Sequence, residues 1–273
     1  MNNQQYKAKY KELIKNAKDD NMLSSYIKEL MENITDYPFS LYRYRKANEF
    51  TLSEILNQNI YLCEIDKMDD IFDGKGVWSP FGYKPEIIHR AFNLPPRNEN
   101  EEISNVDWRK LMNDAKSKVK IACFTETMKN IPMWYYYADM HRGVCIEYKF
   151  KTIRDDNILM PIIYPDIKEA NNFAYCPECE NQKKCSALLN SYVKNEDWRF
   201  EKEWRVFSYD EDKEYLSAEI KTIYFGLNCS EQFKELVSNI ITTKGYNIEL
   251  KQISISIAGI GYKKFENNSS KGV

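Results

Sequence analysis

The sequence predicts an α+β fold: a mixed, mainly antiparallel sheet core with flanking helices, preceded by an N-terminal helical extension over residues 1–36. Three observations predict it. Segments whose apolar residues alternate with period two fall in clusters, as antiparallel strands do. Segments of helical period lie between them at irregular spacing. No regular strand-helix-strand alternation runs through the 273 residues, which argues against a doubly wound parallel sheet. Residues 37–273 then read as a single domain carrying a Cys-bearing insert at about 169–186.

Each element has its own signal. Tyr10, Leu13, Ile14 and Ala17, then Leu23, Tyr26, Ile27, Leu30 and Ile34, recur at helical spacing with a break at Asp19-Asp20-Asn21. Ser40–Arg45 alternates as a first strand. A short helix follows over Thr51–Leu56, with Thr51 as N-cap and Glu54 completing a capping box. Ile60–Cys63 reads as the second strand, and the aromatic stretch from Asp66 to Pro96 as a long loop. Strands are expected at Lys118–Phe124, Gly143–Tyr148, Leu159–Tyr164, Glu203–Tyr209, Ile220–Phe225 and Ile248–Ile257. Helices are expected at Pro132–Met140, from Lys184 to about Asn195, and at Ser230–Lys244.

Composition narrows the chemistry. With 39 Lys+Arg against 41 Asp+Glu the net charge is −2, so a nucleic acid or anionic surface would have to be bound by a local patch. Neither a phosphate-cradling P-loop nor a G-x-G-x-x-G fingerprint is present, and His89 and His141 are the only histidines. Chemistry must rest mainly on carboxylates, aromatics, Arg and Cys. The N-terminus lacks the apolar core of a secretory signal and no run of 18 apolar residues occurs, so a cytoplasmic protein without membrane association is expected, with its seven Cys reduced.

Four residue sets stand out. In Trp198–Phe207, an extended run from Glu201 would put Glu201, Glu203 and Arg205 on one face and Trp204 and Val206 on the other. Neighbouring carboxylates can supply a general base or stabilise positive charge, and the plain alternative is a solvated Glu/Arg ladder. Cys123–Thr127 ends a strand in hydroxyls, with Trp134 and the tyrosines behind it as flat faces or as ordinary core. Arg43 and Arg45 share a strand face and could grip phosphate or pair with an acid. Cys176, Cys179 and Cys185 supply three ligands of a zinc site, the fourth coming from elsewhere, or are simply reduced thiols.

Taken in order, Leu41–Tyr44, Met68–Gly74, Cys123–Thr125, the Met133–Val144 string and Trp198–Arg205 resemble a large bacterial family of uncharacterised domains, over roughly residues 40–230. Relatives carry Asn-Asp-Pro-Phe where this chain has Asp69-Asp70-Ile71-Phe72, and His at Tyr136. More distantly, Arg on a first strand, a hydroxyl-rich strand end and a late Glu-x-Glu are similar to the signature of ADP-ribosyltransferases, including the DNA-targeting bacterial toxins.

That resemblance implies an ADP-ribosyltransferase-like fold and NAD as substrate, used by a transferase or NAD glycohydrolase acting as a toxin or in phage defence. By that resemblance Glu203 stabilises the oxocarbenium-like state and Glu201 handles a nucleic-acid or protein acceptor. Arg43 holds the cofactor phosphates, Thr125 orders the site, and Tyr44 or Trp134 stacks nicotinamide. The alternative of another class is a non-catalytic nucleic-acid or protein-binding module using the Cys insert and the Trp134–Tyr137 aromatics. A third reading is a hydrolase whose Asp69, Asp70 and Asp73 hold a hard metal ion.

Overall fold

The computed structural model describes residues 3–16, 20–34, 38, 40–68, 119–149, 158–165, 191–208, 210 and 212–265. The insert with Cys176, Cys179 and Cys185 lies outside them, as do Asp69, Asp70 and Asp73. The chain divides into two compact units, one drawn from residues 1–35, 64–119 and 163–198, the other from 36–63, 120–162 and 199–273.

In the first unit the interrupted helical pattern is realised as α1 (Asn3–Asn16) and α2 (Asp20–Glu32). Lys9 of α1 lies 3.8 Å from Glu29 of α2. Tyr10, fully buried, meets Tyr192 edge to face at 6.2 Å. Next to Tyr192, Val193 bridges Ile163 in parallel, and Lys194 sits 5.2 Å over the Trp198 ring.

The second unit holds the sheet. Its elements are β1 (Ser40–Arg45), α3 (Glu49–Asn57), β2 (Asn59–Tyr61), β3 (Cys63–Glu64), β4 (Lys120–Thr125), α4 (Ile131–Tyr136), β5 (Val144–Lys149) and β6 (Ile158–Pro161). After them come β7 (Glu203–Ser208), β8 (Tyr215–Ser217), β9 (Ile220–Phe225), α5 (Glu231–Lys244), β10 (Glu249–Ser256) and β11 (Gly259–Lys264). The main sheet runs β11-β10-β9-β5-β1-β4-β7-β6, with β2 and β8 paired separately. Only β9 and β10 pair in parallel, across the α5 crossover; the other pairs along that path are antiparallel. The fold is α+β, as the strand clustering predicts.

The caps explain where helices begin. Asn48, not Thr51, caps α3, accepting from the Thr51 amide at 3.1 Å, while the Thr51 hydroxyl donates to the Lys46 carbonyl at 2.7 Å. The expected capping box therefore does not form, and Glu54 does something else. Ser230, the first residue of the expected helix, is the cap of α5 and accepts from the Phe233 amide. Asn130 caps α4, with Pro132 in the first turn where a missing N–H does no harm.

Period two on β1 sends Tyr42 and Tyr44 to one face of the sheet and Leu41, Arg43 and Arg45 to the other. On that second face Glu54 of α3 is buried, paired with two arginines and hydrogen-bonded by a tyrosine. Arg43 Nη1 lies 3.4 Å from it, Arg45 Nε 3.2 Å, and the fully buried Tyr148 donates its hydroxyl. Phe124 closes the cluster, edge-on to Tyr148 at 5.8 Å and 5.7 Å beneath the Arg43 guanidinium. Burial and the Glu54 charge together push the Tyr148 phenol well above its usual range.

Removing Glu54 would leave two guanidinium groups beneath α3 without their counter-charge. Glu54→Ala is expected to lower the unfolding free energy by about 3–5 kcal/mol in a urea titration. A loss under about 1 kcal/mol would mean that the cluster does not hold α3 to the sheet.

Candidate functional site

The opposite face is built from β7, β4, β1, β5 and β9. Thr125 pairs with Glu203 and with Tyr42, Tyr42 pairs with Glu147, and Glu147 with Thr222. Directly paired residues share a face, so Glu203, Thr125, Tyr42, Glu147 and Thr222 form one row of polar side chains across five strands. At a strand spacing of about 4.8 Å the row spans about 19 Å. All but Tyr42 are buried, which is costly unless the groups satisfy one another.

They largely do. At one end Glu203 (4% exposed) is gripped by Arg205 (fully buried), through Nε at 2.6 Å and Nη2 at 3.1 Å on its two carboxylate oxygens. The solvated Glu/Arg ladder is thereby excluded. Towards the other end Glu147 accepts from Ser40 Oγ at 2.7 Å, Lys221 Nζ at 2.7 Å and the Tyr224 hydroxyl at 2.9 Å. Burial pushes its carboxyl up, but those hydrogen bonds outweigh burial and hold it below its ordinary 4.5. Burial and the Glu147 charge push the Tyr42 phenol up to about 12. The Thr222 hydroxyl is fully buried with no hydrogen-bond partner among the described residues.

Glu201 does not extend β7. It ends a 3-10 turn, Glu196–Glu201, and Lys202 at φ +46° breaks the run before Glu203. The expectation of Glu201 and Glu203 on one extended face is corrected on that backbone. Glu201 nevertheless comes to the site by another route. The Thr125 hydroxyl donates to its carbonyl at 2.6 Å, the Tyr137 hydroxyl donates to its carboxylate, and Asn130 Nδ2 donates to the preceding Phe200 carbonyl.

Tyr44 and Trp134 are packed rather than open. The Tyr44 hydroxyl donates to Thr127 O at 3.0 Å and accepts from Asn130 N at 3.2 Å. Its ring meets the fully buried Trp134 at 5.1 Å, and the Trp134 indole N–H donates to Met128 O at 2.8 Å. Trp134 stacks on His141 at 5.7 Å and 8°. Five of the six expected catalytic and cofactor-binding residues, Glu203, Glu201, Thr125, Tyr44 and Trp134, thus belong to this face. Arg43 does not: alternation along β1 turns it to the Glu54 face.

Helix α4 is shorter than its apolar pattern predicts. After Tyr136 the chain enters a left-handed turn, with φ of +47°, +50° and +66° at Asp139, Met140 and His141. Non-glycine residues rarely adopt that region, and consecutive ones need outside support. Support comes from Gly143 N bonding Ala138 O at 2.8 Å and Asn228 N bonding His141 O at 2.9 Å. It also depends on close backbone approach: a Cβ on Gly143 would stand 2.0 Å from the Arg45 carbonyl oxygen. Burial lowers the pKa of His141, and its Nδ1 is buried without a hydrogen-bond partner among the described residues. Cys145 is buried in β5, where burial and Glu147 raise its thiol well above its usual range.

Residues 133–206 match the family described as "Protein of unknown function (DUF2971)". The matched stretch is shorter than the roughly 40–230 expected from the sequence motifs. It runs from α4 through the left-handed turn to Val206 of β7, and so contains Trp134, Tyr137, Glu147, Glu201 and Glu203. No curated protein and no solved structure matches the chain. Among the described residues no helix is long and apolar enough to cross a membrane, and no group of three or more His, Cys, Asp or Glu stands together as metal ligands.

Sequence reasoning missed Glu147 and Asn130, and it named Tyr137 only as an aromatic face, not as the donor to Glu201. Asn130 carried a signal, an Asx residue just ahead of Ile131-Pro132. Glu147 and Tyr137 carried none, since their partners Ser40, Lys221, Tyr224 and Glu201 are distant in sequence.

A carboxyl whose folded pKa lies below its unfolded value stabilises the fold above the unfolded value and loses that contribution as pH falls through the folded one. Urea midpoints of wild type should therefore fall on acidification below about pH 4.5 more steeply than those of Glu147→Gln. Parallel curves would remove Glu147 as a source of acid lability. Gly143→Ala should lower the unfolding free energy by about 3 kcal/mol or more in the same titration, because backbone rather than a flexible side chain blocks the added methyl.

Proposed function

We propose that this protein consumes NAD, as an ADP-ribosyltransferase or NAD glycohydrolase, with its reaction centre at the Glu203 end of the polar row. One observation carries the reading. The three strands bearing the first-strand tyrosines, the hydroxyl-rich end and the late glutamate lie side by side as β1-β4-β7, in a register that aligns Tyr42, Thr125 and Glu203.

Breaking the bond between nicotinamide and ribose passes through an oxocarbenium-like state, which a fixed carboxylate stabilises by its charge and by accepting from the ribose 2′-hydroxyl. Glu203, oriented by Arg205, takes that role. Glu201, on the adjoining corner, receives the proton of the incoming nucleophile. Thr125 fixes that corner, and Tyr44 with Trp134 forms its apolar backing. Arg43, engaged by Glu54 on the other face, has no part. The reading needs no metal; a zinc ion on Cys176, Cys179 and Cys185 would serve the insert.

A second reading is a non-catalytic nucleic-acid or protein-binding module. It is favoured by Ile131, Tyr135, Tyr136 and Met140, which are all exposed along α4 and the left-handed turn.

Nicotinamide release from NAD by the purified protein, with cell lysate as a source of acceptor, separates the two. Glu203→Gln should lower release at least about 100-fold. Because Arg205 then loses its counter-charge, the double replacement Glu203→Leu with Arg205→Met is measured beside it, which removes the pair without stranding a charge. Both should be inactive, and the double variant should keep the wild-type urea midpoint more closely. Turnover retained by a folded Glu203 variant would refute the assignment, and a wild type without release would favour the binding module.

A further inference from the structure

Three side chains from one short segment converge on the corner between the 3-10 turn and β7. Thr125 ends β4, Asn130 caps α4 and Tyr137 ends it. Their targets are the Glu201 carbonyl, the Phe200 carbonyl and the Glu201 carboxylate. The corner itself has a left-handed residue, Lys202 at φ +46°, that a non-glycine side chain adopts only when its neighbours hold it there. A turn needed only to start β7 would be satisfied by the two main-chain contacts. The third contact does not fix the backbone. It fixes one carboxylate.

We infer that Tyr137 is the positioning residue of Glu201, holding its carboxylate for the nucleophile that attacks the ribose, and that the Thr125–Asn130 clamp keeps the carboxylate within reach of Tyr137. The inference rests on the NAD reading above and deepens it. In the step concerned, the bond between ribose C1′ and the nicotinamide nitrogen breaks, and nicotinamide leaves as a neutral molecule with the bonding electrons. An oxygen nucleophile then forms its bond to C1′, and its proton passes to the Glu201 carboxylate. Glu203 acts on bond breaking and Glu201 on bond making. The Tyr137 hydroxyl donates to the Glu201 carboxylate, so the influence of that hydroxyl should fall on the choice and rate of nucleophile, not on the binding of NAD.

That division can be measured. NAD turnover is followed in water and in water with added methanol as a small competing nucleophile, reading total nicotinamide, ADP-ribose and the methyl riboside. Tyr137→Phe keeps the ring and removes the hydroxyl. It is expected to lower kcat about tenfold, with KM within about twofold of wild type, and to change the ratio of methanolysis to hydrolysis. Thr125→Val, which removes the clamp on the Glu201 carbonyl at nearly constant volume, should shift that ratio in the same sense. A folded Tyr137→Phe protein with wild-type kcat and wild-type product ratio overturns the inference, as does one in which KM alone rises. Failure of the underlying reading looks different: the wild type itself releases no nicotinamide, and the inference falls with it.

Discussion

The position and register of β1 govern the rest of the architecture. It lies between β5 and β4, and the alternation of Tyr42, Arg43, Tyr44 and Arg45 divides those residues between two chemically unlike faces. A slip of one residue would drive two guanidinium groups into the Tyr44–Trp134 packing and two tyrosines against Glu54. Both faces therefore enforce the same register. The ionic cluster under α3 accepts only the arginines, and the row from Glu203 to Thr222 closes only with Tyr42 in it. Burial makes each mismatch expensive, because a charge without its partner cannot be rescued by water there.

Electrostatics is distributed in a matching way. Three buried carboxylates, Glu54, Glu147 and Glu203, are each answered by cations or hydroxyls from other positions, and no two share a partner in the hydrogen bonds and ion pairs described above. The sheet is held by local neutralisation in place of a wholly apolar core. Glu201 is buried as well, and its carboxylate accepts from the neutral Tyr137 phenol.

Much of the scaffold was legible from local pattern. Ile220–Phe225, rich in β-branched and aromatic residues, is the observed β9. The Ser230 cap and the helical period that follows fixed α5. What escaped was whatever depends on distant partners or on unusual backbone. Glu54 has the spacing of a capping box, yet two arginines on β1 outbid the backbone for it. Lys202 and the turn at Asp139–His141 take left-handed conformations that no propensity favours, so the extended Glu-x-Glu run and the longer α4 were both reasonable and both wrong. The strands β8 and β11 were missed because Tyr215–Ser217 is too short to show a period and Gly259–Lys264 begins with two glycines in three residues. The site was half legible: the residue types at Glu201, Glu203 and Thr125 could be read, but the side of the sheet to which Arg43 turns depends on pairing.

The pairing of β1 also sets a schedule for synthesis. Ser40 and Glu147, joined across β1 and β5, are 107 residues apart. Both partners of β1 on the main path lie beyond residue 119, so when β1 leaves the ribosome neither exists. At 5–20 residues per second the strand waits on the order of ten seconds with both hydrogen-bonding edges open. During that interval Leu41, Tyr42 and Tyr44 are offered to any other nascent chain, and the two arginines between and beside them are the charges that discourage such pairing. The same alternation that sorts the finished sheet into two faces therefore guards the strand before the sheet exists.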